Sequence, residues 1–386
     1  MGDLSRTQTC RCDVVLEQTL GHVTHGQNLR RLLPELPGFE PTFVSVEYDV
    51  DGWAARVPGF GNWTVRAGLR ARRGLRSLGR HERDAVFVHT QVPAVFLGRA
   101  TGRVPTIVSL DATPLQYDEL GEQYAHSTGP APVERLKTWL NRRCFERADH
   151  LVAWAHWTKR GLVADYGVDA GNVTVIPPGV DISRWGREER AAQRGNEPVR
   201  ILFVGGNLAR KGGDELLAAF GHLRSHHGAG VELHLATPTP LAPIDGVTVH
   251  NDMRPNSPEL IDLYHRCDVF CLPTRGDCLP MVLPEAGAAG LAMISTDVGA
   301  ISEIVRDGET GLLVPVGEPE QLHRALERLV SDAELRIRLA GNGSALIRAE
   351  HDAAANAARL GELICDVVAS RAEHGTGRAR SERWTR

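Results

Sequence analysis

Aromatic residues make up only 5% of the 386-residue chain, within a hydrophobic content of 42%, whereas Gly (40) and Pro (22) are plentiful and point to many turns between elements. Long apolar runs are missing. Stretches such as 268–273 fall far short of the about 20 residues a membrane-spanning helix needs. The opening MGDLSRTQTCRCDVV lacks the apolar core of a secretory signal. Positive charge is not in excess: Lys+Arg 44 against Asp+Glu 48 leaves a net charge of −4, which argues against a general nucleic-acid binder. The seven cysteines, an odd number, lack the paired spacing and histidine partners of a zinc site and read as reduced thiols. His22 and His25 are not part of H-E-x-x-H, which excludes a metalloprotease of that type. These absences leave a cytoplasmic globular protein with no need of a disulfide or metal staple.

What is present is alternation. Short β-rich runs are expected at 13–17, 42–47, 85–89, 105–110, 150–153 and 173–176, and again at 200–204, 231–236, 247–250, 268–272, 292–296 and 312–314. Helical stretches fall between them, among them 133–147, 214–225, 258–266 and 319–330. Repeated strand–helix–strand predicts a doubly wound α/β protein with parallel sheets. Continuously apolar strands fit sheets covered on both faces. The series breaks at Pro177-Pro178-Gly179-Val180-Asp181 and the polar stretch 186–198. The expected organisation is two Rossmann-like domains, 1–185 and 199–350, facing across a cleft, with 186–198 as linker. A C-terminal helix at 351–369, able to pack back on the first domain, and a disordered tail at 370–386 complete it.

Ligands of open α/β sheets bind at the carboxyl ends of strands. Gly205-Gly206-Asn207-Leu208-Ala209-Arg210-Lys211-Gly212-Gly213 follows a strand and opens a helix. Its glycines admit close backbone approach, helix-terminal amides favour an anion, and Arg210 and Lys211 add two cations. The stretch reads as a diphosphate cradle, or else as a Gly-rich turn with two solvated cations. It is neither G-x-G-x-x-G nor a Walker motif. After the 268–272 strand, Asp277 and Glu285 stand eight residues apart in Asp277-Cys278-Leu279-Pro280-Met281-Val282-Leu283-Pro284-Glu285. Together they suit the hydroxyls and phosphates of a sugar nucleotide, though Asp277 also reads as an N-cap and Glu285 as surface charge.

From Ile201 to Val314 the chain resembles the retaining glycosyltransferases of family 4, which have the GT-B fold. The resemblance rests on Phe203-Val204-Gly205-Gly206 with Arg210-Lys211-Gly212-Gly213, on Asp277-x7-Glu285, on the run from Asp297 to Val314, and on Ile176-Pro177-Pro178-Gly179-Val180-Asp181. It implies that Lys211 and Arg210 neutralise a donor diphosphate and that Asp277 holds sugar hydroxyls. Glu285 would bind the ribose, and amides around Leu279, Pro280, Met281 and Val282 would meet sugar and phosphate. Gly206 stands where many members carry Arg, and Asp111 where many carry a His near the donor sugar. Gly21, His22 and His25 fall in the family's Gly-rich loop after the first strand, Gly21 toward the donor and the two histidines lining the acceptor side, with His89 ending a strand toward the same cleft. A strand-to-helix turn and a structural histidine are the plain alternatives there.

The expectation is a metal-independent, retaining, hexosyl-type glycosyltransferase with Asp277, Lys211, Arg210 and Asp111 as its catalytic group. It needs no cofactor, takes a nucleotide-diphosphate sugar (UDP preferred) as co-substrate, and transfers to an acceptor hydroxyl that the sequence does not name. A nucleotide-sugar epimerase and a non-catalytic sugar-nucleotide binder are the rivals. Asp49-Val50-Asp51 has the D-x-D form of metal-dependent transferases, but the cationic cradle already serves the diphosphate. Arg66, Arg70, Arg72, Arg73, Arg76, Arg80 and Arg83 form a basic run opposed only by Glu82. It is either a solvated face or a site of peripheral attraction to an anionic membrane.

Overall fold

The computed structural model describes residues 9–18, 22–47, 63–79, 82–101, 104–121, 129–187 and 197–381. Gly21, Asp49, Asp51 and Arg80 lie outside them. The chain divides into two compact units, Met1–Leu115 with Gly129–Pro177 and Ala354–Arg386, and Gln116–Thr128 with Pro178–Ala353.

The first unit begins with β1 (Cys10–Glu17), α1 (His22–Leu32), β2 (Phe39–Val46), α2 (Trp63–Ser77), β3 (Ala85–His89) and α3 (Gln91–Ala94). It continues through β4 (Thr106–Leu110), the start of α4 (Pro114–Glu119), whose residues from Gln116 belong to the second unit, then α5 (Ala131–Arg147), β5 (His150–Ala153), α6 (His156–Tyr166) and β6 (Val173–Val175). All strands pair in parallel in the order β2-β1-β3-β4-β5-β6. The chain leaves β1 toward β2 and then returns to β1's other side as β3, so a topological switch point falls between β1 and β3. Register aligns the strand ends there: Leu16 pairs His89, His89 pairs Ser109, and Leu110 pairs Ala153. The residues that follow, Glu17, Thr90, Asp111 and Trp154, therefore emerge at one edge of the sheet.

The second unit holds α7 (Ile182–Trp185), β7 (Val199–Val204), α8 (Gly213–His227), β8 (Val231–Ala236), β9 (Val247–His250), α9 (Pro258–Arg266) and β10 (Val269–Leu272). After these come α10 (Val282–Ala288), β11 (Ala292–Thr296), α11 (Ile301–Ile304), β12 (Gly311–Val314), α12 (Pro319–Ser331) and α13 (Ala333–Glu350). Its parallel order is β12-β11-β10-β7-β8-β9, which puts the switch point between β7 and β10. The strand VFCL of β10 is buried at every position, as a central strand covered on both faces must be.

Three expectations change. The division falls after Pro177, not at 185, because Trp185 is buried in the second unit with its ring 5.1 Å from that of Tyr264. Its indole donates to Asn256 Oδ1, and Val180 bridges Asp352. Polarity marks the charged stretch that follows, not where an apolar side chain docks. The last helix, α14 (Ala353–Ser381), runs into the segment read as disordered tail. Ala, Arg and Glu favour helix even without an apolar stripe. Asn356 and Arg359 of α14 donate to the carbonyls of Pro177 and Val175, and Leu360 and Ile364 are buried. The arginine run also splits. α2 buries Ala67, Ala71 and Leu75 and ends at Ser77, whereas Arg83 lies beyond it, 2.6 Å from the buried carboxylate of Asp13. No helix among the described residues is long and apolar enough to cross a membrane.

Candidate functional site

In the second unit the loop between β7 and α8 is tied to the loop after β10. Gly212 has φ 75°, and a Cβ built there would come within 2.0 Å of the Pro273 carbonyl, so only glycine fits. The Arg275 amide donates to the Arg210 carbonyl at 3.0 Å. This close approach brings both cations onto Asp277. Lys211 Nζ is 2.7 Å from each Asp277 oxygen. Arg210 Nη1 donates to the Gly276 carbonyl at 2.6 Å and lies 3.3 Å from Asp277 Oδ1. Thr274 Oγ1 donates to Oδ2 at 2.8 Å. From the other side Gly299, at φ 59°, lies so close that a Cβ would sit 2.3 Å from the Asp277 carbonyl. The Ala300 amide donates to the Cys278 carbonyl.

This geometry corrects two readings. Asp277 caps no helix: α10 starts at Val282 after Met281, and Asp277, 6% exposed, spends its carboxylate on Lys211, Arg210 and Thr274. Nor are Arg210 and Lys211 solvated cations. Two positive charges meet one negative, leaving the cluster net cationic. The amides of Arg210, Lys211, Gly212 and Gly213 all donate within their own loop, to Asn207 Oδ1 and to the carbonyls of Asn207, Ala209 and Leu208. The cradle thus offers an anion its side chains rather than these four amides. Gly205 sits against Lys211, while a Cβ at Gly206 would meet nothing within 4 Å.

Glu285 lies inside α10, 5% exposed, and accepts a hydrogen bond from Tyr264 Oη at 3.1 Å. It is not surface charge. Burial pushes its carboxyl up to about 8 against the opposing effect of the Tyr264 hydrogen bond, so at neutral pH it is largely protonated. Leu279, Pro280 and Met281 are buried and Val282 half-buried between these two carboxyl groups in sequence. Of the four, Pro280 has no amide hydrogen to offer.

A second cluster forms at the switch point of the first unit. His22, at the start of α1, places Nδ1 3.3 Å from Glu17 Oε1 and Nε2 3.4 Å from Asp111 Oδ2. Glu17 is 3% exposed and also accepts from the Thr90 hydroxyl. Asp111 Oδ1 accepts from the Ala112 amide at 2.9 Å, which fixes the carboxylate. Burial disfavours the imidazolium, but Asp111 and Glu17 outweigh it and hold His22 at about 10. His25, one turn further on, is pushed down to about 3 by burial and by the charge of His22. His89 is fully buried and its ring stacks on Trp154 at 4.9 Å and 7°. It therefore backs His22, 4.8 Å away between ring centroids, and does not reach solvent itself. Trp154 in turn donates to Ser109 Oγ.

The structure thus gathers Gly205, Arg210, Lys211 and Asp277 in one unit and His22, His25, His89 and Asp111 in the other. Sequence reading missed Glu17, Thr90, Trp154, Thr274 and Tyr264. Four of these five stand just inside or just past the carboxyl end of a strand, the position where α/β sheets carry their sites, and were recoverable on that ground. Tyr264, on α9, was not.

Residues 21–184 match the family model described as Glycosyltransferase Family 4, and residues 198–332 match that described as Glycosyl transferases group 1. The chain is similar to the D-inositol 3-phosphate glycosyltransferase of Nocardia farcinica, 31% identical over 238 residues, which are 56% of this chain and 52% of that protein. It is also similar to glycogen synthase of Mycobacterium tuberculosis, 27% identical over 301 residues, 74% of this chain and 68% of that one. The chain spans about half the length of the inositol-phosphate enzymes it matches. Among solved structures, sucrose-phosphate synthase from Thermosynechococcus elongatus superposes with a TM-score of 0.72 at 16% identity, over 94% of this chain and 100% of that chain. Anabaena Alr3699/HepE in complex with UDP-glucose gives 0.64 at 14% identity, over 93% and 99%. At these identities the likeness is one of fold.

Proposed function

The chain belongs to the family 4, group 1 glycosyltransferases, and we propose that it transfers a hexose-type sugar from a UDP-sugar to an acceptor hydroxyl with retention at the anomeric carbon. The observation that carries this reading is the cluster of Lys211, Arg210, Thr274 and Asp277 at the switch point of the second unit. Lys211 and Arg210 meet the donor diphosphate, and Asp277, fixed by three partners, accepts hydrogen bonds from the sugar hydroxyls. When the bond from the anomeric carbon to the phosphate oxygen breaks, negative charge grows on the departing diphosphate, where the two cations stabilise it. No metal is required for that step. Glu285, largely protonated, contributes both a donor and an acceptor to the ribose hydroxyls. Gly206 leaves open the space where many members carry Arg, and Arg210 supplies the second cation.

Asp111 takes the place of the family's histidine near the donor sugar, with its carboxylate aimed by His22. At 23% side-chain exposure it remains open to a substrate hydroxyl. The solved neighbour with UDP-glucose supports uridine as the donor base, and the inositol-phosphate relatives make D-inositol 3-phosphate the first acceptor to try. The test is UDP release from UDP-glucose and other UDP-sugars across an acceptor panel, with the anomeric configuration of the product read by NMR. Acceptor-dependent release with retained configuration is expected. Conversion of the donor sugar without acceptor would instead identify an epimerase. Thermal stabilisation by donor with no release on any acceptor would identify a binding protein.

A further inference from the structure

Apart from the two clusters above, the second unit concentrates imidazoles where the end of α8 lies beside α12. His227 Nε2 is 2.9 Å from both oxygens of Glu327. The ring of His226 turns toward that of His227, with centroids 4.8 Å apart and planes at 82°. One ligand atom from each of His226, His227 and Glu327 lies within 4.8 Å of the others. Glu327 is oriented from behind by Ser331 Oγ, which donates to Oε1 at 2.8 Å. One turn back on both helices, the rings of His222 and His323 stand 5.6 Å apart.

We propose that His226, His227 and Glu327 form a site for one divalent transition-metal ion of zinc type. Two imidazole nitrogens and a carboxylate oxygen are ligands such an ion accepts, with water completing the tetrahedron. Magnesium and calcium, which prefer all-oxygen shells, are poorly served. Metal–nitrogen bonds of about 2.0–2.1 Å demand ligand atoms roughly 3.3 Å apart. His227 and Glu327 already stand at that scale, and rotation about the side-chain torsions of exposed His226 closes the third edge. An ordinary His227–Glu327 ion pair accounts for two of the groups but not for His226, which as an exposed helix-end residue is otherwise free to extend into water. The Ser331 hydroxyl acts as the outer partner that ligating carboxylates commonly have. The partial negative charge at the C-terminus of α8 also favours a cation here.

The site joins α8 to α12. α8 has 15 residues, so its last turn lies about 20 Å from the first at 1.5 Å per residue. A metal there ties down the far end of the helix that Lys211 and Gly212 precede, without touching the diphosphate cradle. Its role is structural, and it is independent of the proposed transfer reaction.

The test uses the untagged full chain, titrated with zinc chloride by calorimetry and followed by thermal denaturation, with cobalt(II) as a visible-absorption probe of tetrahedral coordination. One ion per chain is expected, with a rise in Tm that EDTA reverses. His226→Gln, His227→Gln and Glu327→Gln should each lower the affinity by at least about tenfold, the lower end of what losing even an outer partner of a metal ligand costs. His222→Gln and His323→Gln should leave it unchanged. Circular dichroism identifies any variant that does not fold, and Glu327→Ala then replaces it. No binding to the wild-type chain, affinity indifferent to the three ligand substitutions, or loss confined to the His222 and His323 variants would each overturn the proposal.

Discussion

Lys211 and Asp277 are 66 positions apart in sequence, yet Lys211 Nζ holds both oxygens of the Asp277 carboxylate at 2.7 Å. The pair is nearly closed to solvent, with side-chain exposures of 13% and 9%. A diphosphate reaching Lys211 must therefore share that cation with Asp277, so donor binding and local stability are linked through one contact.

Asp277→Asn removes the negative charge that Lys211 and Arg210 share. Removing one partner of a buried ion pair costs about 3–5 kcal/mol, and the residual exposure here places the expected loss near the lower end. Turnover should fall as well. A double-mutant cycle with Lys211→Met should give a coupling of about 1–3 kcal/mol in urea unfolding. Additive effects would mean that the pair contributes nothing to stability.

Lys211→Ala should lower kcat by about 10²–10³, the usual cost of one charge-stabilising donor. Arg210→Ala should cost the same or less, because Arg210 also donates to the Gly276 carbonyl and lies further from Asp277. Near-native turnover in a folded Lys211→Ala chain would place the diphosphate elsewhere.

Transfer should persist in excess EDTA, because Lys211 and Arg210 supply the positive charge. Loss of activity restored by Mn or Mg would return attention to Asp49 and Asp51. Through the zinc-type site, EDTA should lower Tm while leaving turnover intact, which separates the two ions experimentally.

The histidines of the first unit predict stability that declines on both sides of neutrality. His22, raised to about 10 from 6.5, contributes fully below pH 6.5 and loses its contribution as pH rises toward 10. His25, depressed to about 3, contributes above pH 6.5 and loses its contribution as pH falls toward 3. His22→Gln should therefore be most destabilising below pH 6.5 and progressively less so toward pH 10. A stability difference that does not change over that alkaline range would show that His22 is not held as the imidazolium.

Glu285 behaves oppositely to an ordinary carboxylate. Raised to about 8 from 4.5, it stabilises the fold below pH 4.5 and loses that contribution as pH rises through 8. Glu285→Gln, which mimics the protonated form, should melt higher than wild type at pH 8 and above, with the advantage vanishing near pH 4.5. Uridine diphosphate binding, followed by calorimetry, should survive in the same variant, whose carboxamide keeps a donor and an acceptor, and should weaken in Glu285→Leu.

The two-unit α/β architecture was legible because buried parallel strands must be continuously apolar and the turns between them rich in glycine. VFCL of β10 and AVFVH of β3 carry that pattern in their composition alone. Gly205-Gly206 and Arg210-Lys211 were legible for a related reason: a strand ending in glycines beside two cations is a local arrangement. Trp185 misled the domain boundary because its burial depends on Tyr264, a residue far away in sequence.

Sequence by itself determined which residues lie at strand ends, since periodicity and turn chemistry are local properties. It could not determine the partners they find. That Asp277 binds Lys211 instead of capping a helix follows from Gly212 and Gly299 closing on either side of its loop. That His22 is held as a cation while His25 stays neutral follows from Glu17 and Asp111 flanking only the first. Strand order β2-β1-β3 and β10-β7-β8 brought those ends together. A charge's state is set by its neighbours across several ångströms, and only the folded chain decides which neighbours those are.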